Sequence, residues 1–257
     1  MPHVLIFDIG SSFGYFRKGF TTTSALTHSM IPRSAVEGLI GSILGLSRDI
    51  YPENLRNSKI AIEIRSPVRK LNMKYMHTNP DWWRYIPLYL ANKTSDTRIQ
   101  FAVPTSVEFL VNPIYRIYID NEKINHSLSE KLENKQSHYT PYLGSSSMIA
   151  FIKYIGEYSY REIKLKDYVP IKSILYFSDK IPKLRLQKDS RFAIEDALPL
   201  HIDKDRNLAG NYKVIYSPDA NDLEIKDSIV SEIAFTNNGG GSNKIYVKFL
   251  PIKVTSQ

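Results

Sequence analysis

From Ile9 to Val36 the chain holds no carboxylate, yet Arg17, Lys18 and Arg33 are interleaved there with Phe13, Tyr15, Phe16 and Phe20. The hydroxyls of Thr21, Thr22, Thr23 and Thr27 lie among them. Cations, aromatic faces and short hydroxyl donors without an acid suit a polyanion whose bases can stack. His28 in the same stretch has the chemistry of a general base for RNA cleavage through the 2′-hydroxyl. A hydrogen-bonding role for that imidazole is the simpler assignment.

A second acid-free run lies between Glu63 and Asp81 and carries Arg65, Arg69, Lys70, Lys74 and His77 with Tyr75 among them. Trp82-Trp-Arg-Tyr85 follows. This reads either as a basic, aromatic finger pressed on a nucleic-acid backbone or a neighbouring subunit, or as a solvated charged loop. The six histidines show no spacing that would bind a metal. Tyr142-Leu-Gly-Ser-Ser-Ser147 lacks the GK[ST] tail of a phosphate-binding loop, as does Asn237–Asn243.

These stretches must be held by regular elements. Val4–Ile9 is almost wholly apolar and reads as a strand buried on both faces. Ser34-Ala-Val-Glu37 has the form of a capping box, opening a helix that runs to about Leu46. Gly38, Gly41, Ser42 and Gly45 line one flank of it, which predicts close packing of the helix on a sheet. Strands are expected at 60–64, 106–111, 115–119 and 147–158, and a polar helix at 126–136. The segment from 65 to 104 is too long for a bare loop and predicts a protruding hairpin or subdomain. Beyond Val169, short strands are expected at 171–177, 212–216, 229–236 and 244–249, the last two joined by Asn237–Asn243 as a glycine-rich hairpin. The order strand, helix, strand, strand, helix, strand is that of a ferredoxin-like unit, whose sheet is a common RNA-binding platform. The expected class is α+β: a ferredoxin-like (RRM-like) domain over residues 1–160, with a β-rich part over 161–257.

The chain of 257 residues has a formal charge of +8, which favours an anionic partner without requiring one. It contains no cysteine, which removes disulfides, thiolate zinc sites and a cysteine nucleophile. No apolar run reaches the roughly 20 residues of a membrane span. With no signal-like start, the expectation is a soluble, cytoplasmic protein with no cofactor and no metal.

Together these residues resemble the CRISPR-associated Cas-five family. The likeness rests on the first strand, Tyr15-Phe16-Arg17, the Thr/Ser stretch ending in Ile31-Pro32-Arg33-Ser34, and the helix Ala35–Gly45. Tyr139-Thr-Pro-Tyr-Leu-Gly144 is similar to a second family signature. The likeness is strong over 4–46 and about 139–150 and extends elsewhere only as layout.

The resemblance implies a ferredoxin-like domain with a thumb β-hairpin between its second and third strands, at about 66–104. It implies a non-catalytic subunit of the type I Cascade interference complex that grips and caps the 5′ handle of the CRISPR RNA (crRNA). Its partners would be the Cas-seven backbone subunit and the large subunit, and through the latter, indirectly, target DNA. Phe16, Arg17 and Thr21–Thr23 would then belong to the handle-binding loop. Arg33 and the helix start would lie under a phosphate, and Tyr142 and Gly144 near the handle or a neighbouring subunit. The RNA-binding set expected overall is Phe16, Arg17, Lys18, Thr21, Thr22, Thr23, His28, Arg33, Arg65, Arg69, Lys70, Lys74, Tyr142 and Gly144. One branch of the family processes precursor RNA with a Tyr, a Lys and a His; this chain has no adjacent Lys-His pair, and its layout resembles type I-B, where a separate ribonuclease cuts. The alternative expectation is a metal-independent endoribonuclease using His28 with Tyr or Lys partners.

Overall fold

The computed structural model describes residues 2–21, 24–78, 102–177, 182–185, 191–236 and 242–253. Its central element is β1 (His3–Gly10), whose Leu5, Phe7 and Ile9 point to one face and Val4 and Ile6 to the other, all fully buried. Alternation with apolar residues at both parities requires a core on each side of the sheet, and the structure supplies both. One core carries Leu5, Phe7 and Ile9 against the helices; the second gathers Val4, Ile6, Ala61, Tyr118 and Tyr160.

The helix α1 (Arg33–Leu44) follows β1 after the basic loop and buries Val36, Leu39, Ile40 and Ile43. A short helix α2 (Tyr51–Leu55) leads to β3 (Lys59–Ile64). From there the chain leaves the sheet through β4 (Lys70–Thr78) and returns along β5 (Ala102–Val111). These pair antiparallel from Lys70↔Leu110 to Thr78↔Ala102, and the two-residue β2 (Phe13–Gly14) lies on the other side of β5. Then come β6 (Ile114–Asp120), α3 (Asn125–Glu133) and the long β7 (Phe151–Lys164). In the sheet these strands stand in the order β7-β1-β6-β3, every neighbour antiparallel.

β7 is shared between two partners: residues 151–159 pair with β1, and 160–164 pair with β14 (Ile229–Thr236). β15 (Ser242–Val247) pairs with β14 and closes the six-stranded sheet. Ile233 and Val247 pack with Val4 and Ile6, so the sheet curls over its own second face. β8 (Val169–Ile171), β10 (Lys183–Arg185) and β13 (Leu223–Lys226) make one three-stranded sheet. β9 (Leu175–Phe177), β11 (Ala193–Pro199) and β12 (Asn211–Tyr216) make another. The protein is a strand-rich mixture of α and β. Among the described residues no helix is long and apolar enough to cross a membrane.

Several local expectations are corrected. Ser34 is not the N-cap of α1: Pro32 occupies that position, and no side chain caps the helix. Glu37 therefore does not reach back to the helix start; its two oxygens take Arg33 Nε at 3.0 Å and His201 Nδ1 at 2.7 Å. Nor does the glycine flank of α1 pack on a sheet. Gly41 lies against Tyr51, Gly45 against His138, and Gly38 faces open space. The expected strand at 147–158 begins only at Phe151, because Leu143, Met148 and Ala150 are tied into a turn with Pro141 and Ser145. The expected strand at 171–177 is divided, since Lys172 bonds to Tyr246 O and Ile174 to Ile62 O. The connection 237–241 lies outside the described residues.

Arg33 is the most consequential departure. Expected beneath a phosphate, it is fully buried. Nε donates to Glu37, Nη1 to Pro251 O at 3.1 Å, and Nη2 to Arg56 O and Ser58 O at 3.0 and 2.9 Å. A buried guanidinium needs this degree of satisfaction to be tolerated. Replacing Arg33 with Ala strands Glu37 and three carbonyls. Urea unfolding should show a loss of about 3–5 kcal/mol; a loss below about 1 kcal/mol would contradict the assignment.

Candidate nucleic-acid interface

The basic loop folds back on itself. His28 N donates to Phe16 O at 2.8 Å, Phe16 N to Thr27 Oγ1 at 2.9 Å, and Lys18 N to Leu26 O at 2.9 Å. Residues 16–18 and 26–28 thus form a narrow ribbon with its tip between them. The returning strand rests on β5 through Ala25 N→Ser106 O and Glu108 N→Ala25 O. Thr21 Oγ1 donates to Lys18 O at 2.8 Å, so this hydroxyl braces the ribbon. Thr22 and Thr23 lie outside the described residues, as do Trp82–Tyr85.

The carboxylates missing from the loop's own sequence arrive from elsewhere. Glu195 of β11 takes Lys18 Nζ at 2.8 Å, His28 Nδ1 at 3.0 Å and Ser29 Oγ at 2.7 Å. Burial by itself would raise this carboxyl, but the hydrogen bonds from His28, Lys18 and Ser29 outweigh it and pull the pKa from 4.5 down to about 2. Lys70 likewise bridges Glu108 and the carbonyl of Thr27, both at 3.0 Å. Lys18, His28 and Lys70 are therefore held as struts. His28 is 1% exposed, with its Nδ1 against Glu195. Arg17 is the exposed cation of the ribbon, its Nη2 reaching Thr21 O at 3.3 Å.

The second signature segment meets the first directly. Tyr15 N donates to Leu143 O at 3.0 Å, and Gly144 sits with φ +87° against the Tyr15 carbonyl. A Cβ at 144 would lie 1.7 Å from Tyr15 O. Gly144 is thus a backbone-approach residue that lets the turn lock onto the ribbon.

This junction forms one wall of a cleft of about 490 Å³. Phe16, Tyr142 and Gly144 stand on the near side, and the small side of α1, Ser34, Gly38 and Ser42, forms the floor. Arg48, Tyr51 and Arg206 form the far side. Arg206 Nη1 donates to Tyr51 OH at 2.8 Å, with its guanidinium 6.0 Å from the Tyr51 ring centroid. Among the described residues neither Arg48 nor Arg206 is ion-paired. An open cleft with unneutralised arginines, two tyrosines and a flat floor fits an extruded base with its phosphates.

A family model described as CRISPR-associated protein (Cas_Cas5) matches residues 4–206. The chain belongs to that family. Both signature segments of this Cas5-family chain fall inside the match, as do Arg48, Tyr51 and Arg206. A chain of a solved CRISPR RNA-guided surveillance complex shares the fold, with TM-score 0.50 and 12% identity over 86% of this chain and 91% of that one. A CRISPR protein from Archaeoglobus fulgidus is also similar, with TM-score 0.47 and 12% identity over 95% and 99%. By sequence alone, no curated protein matches the chain.

The structure brings only some of the residues expected to bind RNA together. Phe16, Tyr142 and Gly144 come together in the cleft, although Phe16 is buried and serves as wall. Arg17 and Lys18 sit on the ribbon. Arg69 and Lys74 are exposed at the start of the β4–β5 hairpin and along β4. Arg65 lies on the sheet, bonded to Glu63 at 3.0 Å. Arg48, Tyr51 and Arg206 lie outside the expected set, because Asp49 adjoins one arginine and Asp203 and Asp205 precede the other. Their local charge looks balanced, and only the fold turns them toward one cleft.

Two outcomes follow for this site. Gly144→Ala should lower thermal stability and speed amide exchange at Tyr15 and Phe16; unchanged exchange there would refute the close approach. The second concerns pH. Because the Glu195 pKa is depressed, its stabilisation is complete above pH 4.5 and is lost as pH falls toward 2. The stability gap between wild type and Glu195→Gln, followed by urea titration, should close across that window.

Proposed function

We propose that the chain is a non-catalytic subunit of a type I CRISPR interference complex, where it binds and caps the 5′ handle of the crRNA. The observation that supports this most is the cleft between the Tyr142–Gly144 turn, α1 and α2, with Arg48 and Arg206 on its wall and Arg17 on the adjoining ribbon. Backbone groups hold these elements rigidly, so handle phosphates and one or two extruded bases meet a preformed surface.

The unit β1–α1–β3–β6–α3–β7, with its strand order β7-β1-β6-β3, is read as the ferredoxin-like domain over residues 1–160. The β4–β5 hairpin is read as its thumb, and 161–257 as a β-rich region packed on it. In the assembly, the thumb and the outer faces would meet the backbone and large subunits. Burial of His28 against Glu195 disfavours the endoribonuclease alternative.

Fluorescence anisotropy with repeat-derived RNA carrying the 5′ handle tests this reading. Arg17→Ala and Arg48→Ala should each weaken binding and each lower the slope of log K against log salt by about 0.7, one phosphate contact on single-stranded RNA. Unaltered binding in the double variant would overturn the site. A discrete RNA product formed in EDTA would overturn the non-catalytic role.

A further inference from the structure

The second face of the sheet carries a feature that the cleft does not use. Register places Phe151, Gly10 and Ile114 side by side on this face, and Lys153, Asp8, Arg116 and Glu63 in the next row. That row alternates in charge across four strands. Asp8 is held by Arg116 through Nε at 2.6 Å and Nη2 at 2.9 Å. Glu63 takes Arg65 and the Tyr118 hydroxyl. Burial, and next the Glu63 carboxylate, push the Tyr118 phenol well above its ordinary range, so it remains a donor.

Toward the far end this face is covered by Ile233, Phe235 and Ile245 from β14 and β15. The end near Gly10 stays open. There the Phe151 ring lies flat enough over Gly10 that a Cβ at position 10 would fall 2.2 Å from its Cζ. Cover for a glycine explains the inner side of the ring. It does not explain why Phe151 remains 54% exposed, nor why Lys153 beside it has no carboxylate partner among the described residues. Arg65 stands three strands away, about 14 Å across the sheet, and is bonded to Glu63. Between Arg116 and Phe235 the same face opens a pocket of about 170 Å³ edged by Arg65 and Lys172.

We propose that this open end is a second nucleic-acid site, separate from the cleft, where Phe151 stacks one base of a single strand and Lys153 holds the adjoining phosphate. An exposed aromatic face with an unpaired cation two residues along the same strand offers one stacking surface and one phosphate contact. The site is blind to the sugar. Stacking on Phe151 and the charge of Lys153 read a base face and a phosphate, neither of which differs between a ribose and a deoxyribose strand. It therefore binds RNA and DNA alike, by stacking and charge.

Photocrosslinking of the full chain with octamers of 5-bromouridine or 5-bromodeoxyuridine, with mass-spectrometric mapping, tests this. Crosslinks are expected at Phe151 with both octamers, at yields within about threefold of each other. Phe151→Leu keeps an apolar cover over Gly10 but removes the stacking face, and should cut the yield at 151–153 about tenfold. Lys153→Gln, which removes the charge without setting a like charge opposite Asp8, should also lower the yield while thermal stability holds. Crosslinks at Tyr15–Lys18 or Tyr142 report the cleft and are scored separately, so the two sites stand or fall independently. Absence of crosslinks at 151–153 would overturn the proposal and leave Phe151 as glycine cover or a protein contact. A tenfold preference for the ribose octamer would overturn the sugar-blind reading.

Discussion

A guanidinium with no exposure to water governs where the working parts of this protein lie. Arg33 cannot be buried unless Glu37, the carbonyls of Arg56 and Ser58, and that of Pro251 all converge on it. Those groups come from α1, from the approach to β3 and from the far end of the chain. One side chain thus ties together three separated segments. Its backbone N–H adds a fourth, donating to the Tyr212 hydroxyl of β12. Glu37 extends the set to His201. The start of α1 is pinned by this network, and α1 is the floor of the cleft.

A second constraint works at the level of the backbone. Gly144 lets the 141–150 turn press on the Tyr15 carbonyl, and Glu195 anchors the base of the ribbon through three side chains. The fold thereby sorts the cations. Those used internally, Arg33, Lys18 and Lys70, each have a carboxylate from a distant element or from the next helical turn. Those turned outward, Arg17, Arg48 and Arg206, are not ion-paired among the described residues. A net positive charge says little by itself, whereas this division says which charges remain for a polyanion.

Much of the layout was legible in the residues. β1 announced two cores through apolar residues at both parities, and the order of strands and helices around it followed from periodicity. The long excursion before β6 was readable from its length as a hairpin or subdomain, and its described arms pair as β4 and β5. What was not legible depended on long-range pairing. The acid-free loop looked electrostatically open because Glu195 and Glu108 lie far from it in sequence. Ser34 and Glu37 matched a capping box, but Pro32 and the demand of Arg33 for a counter-charge decided otherwise. Arg48 and Arg206 were hidden by neighbouring aspartates, and β11, with its kink at Ala197, has no clean alternation. The glycines of α1 do mark close approach, but Gly41 and Gly45 approach Tyr51 and His138 rather than a sheet, and Gly38 faces open space.

If the ribbon, the 141–150 turn and the Arg48–Tyr51 wall act as one RNA-binding surface, RNA should protect all three together. Hydrogen–deuterium exchange of the full chain with and without repeat RNA bearing the 5′ handle tests it most directly. New protection is expected at residues 15–28, 48–51 and 142–148 together, saturating at one RNA concentration. Protection confined to the β4–β5 hairpin or the C-terminal strands, with these three segments unchanged, would contradict it.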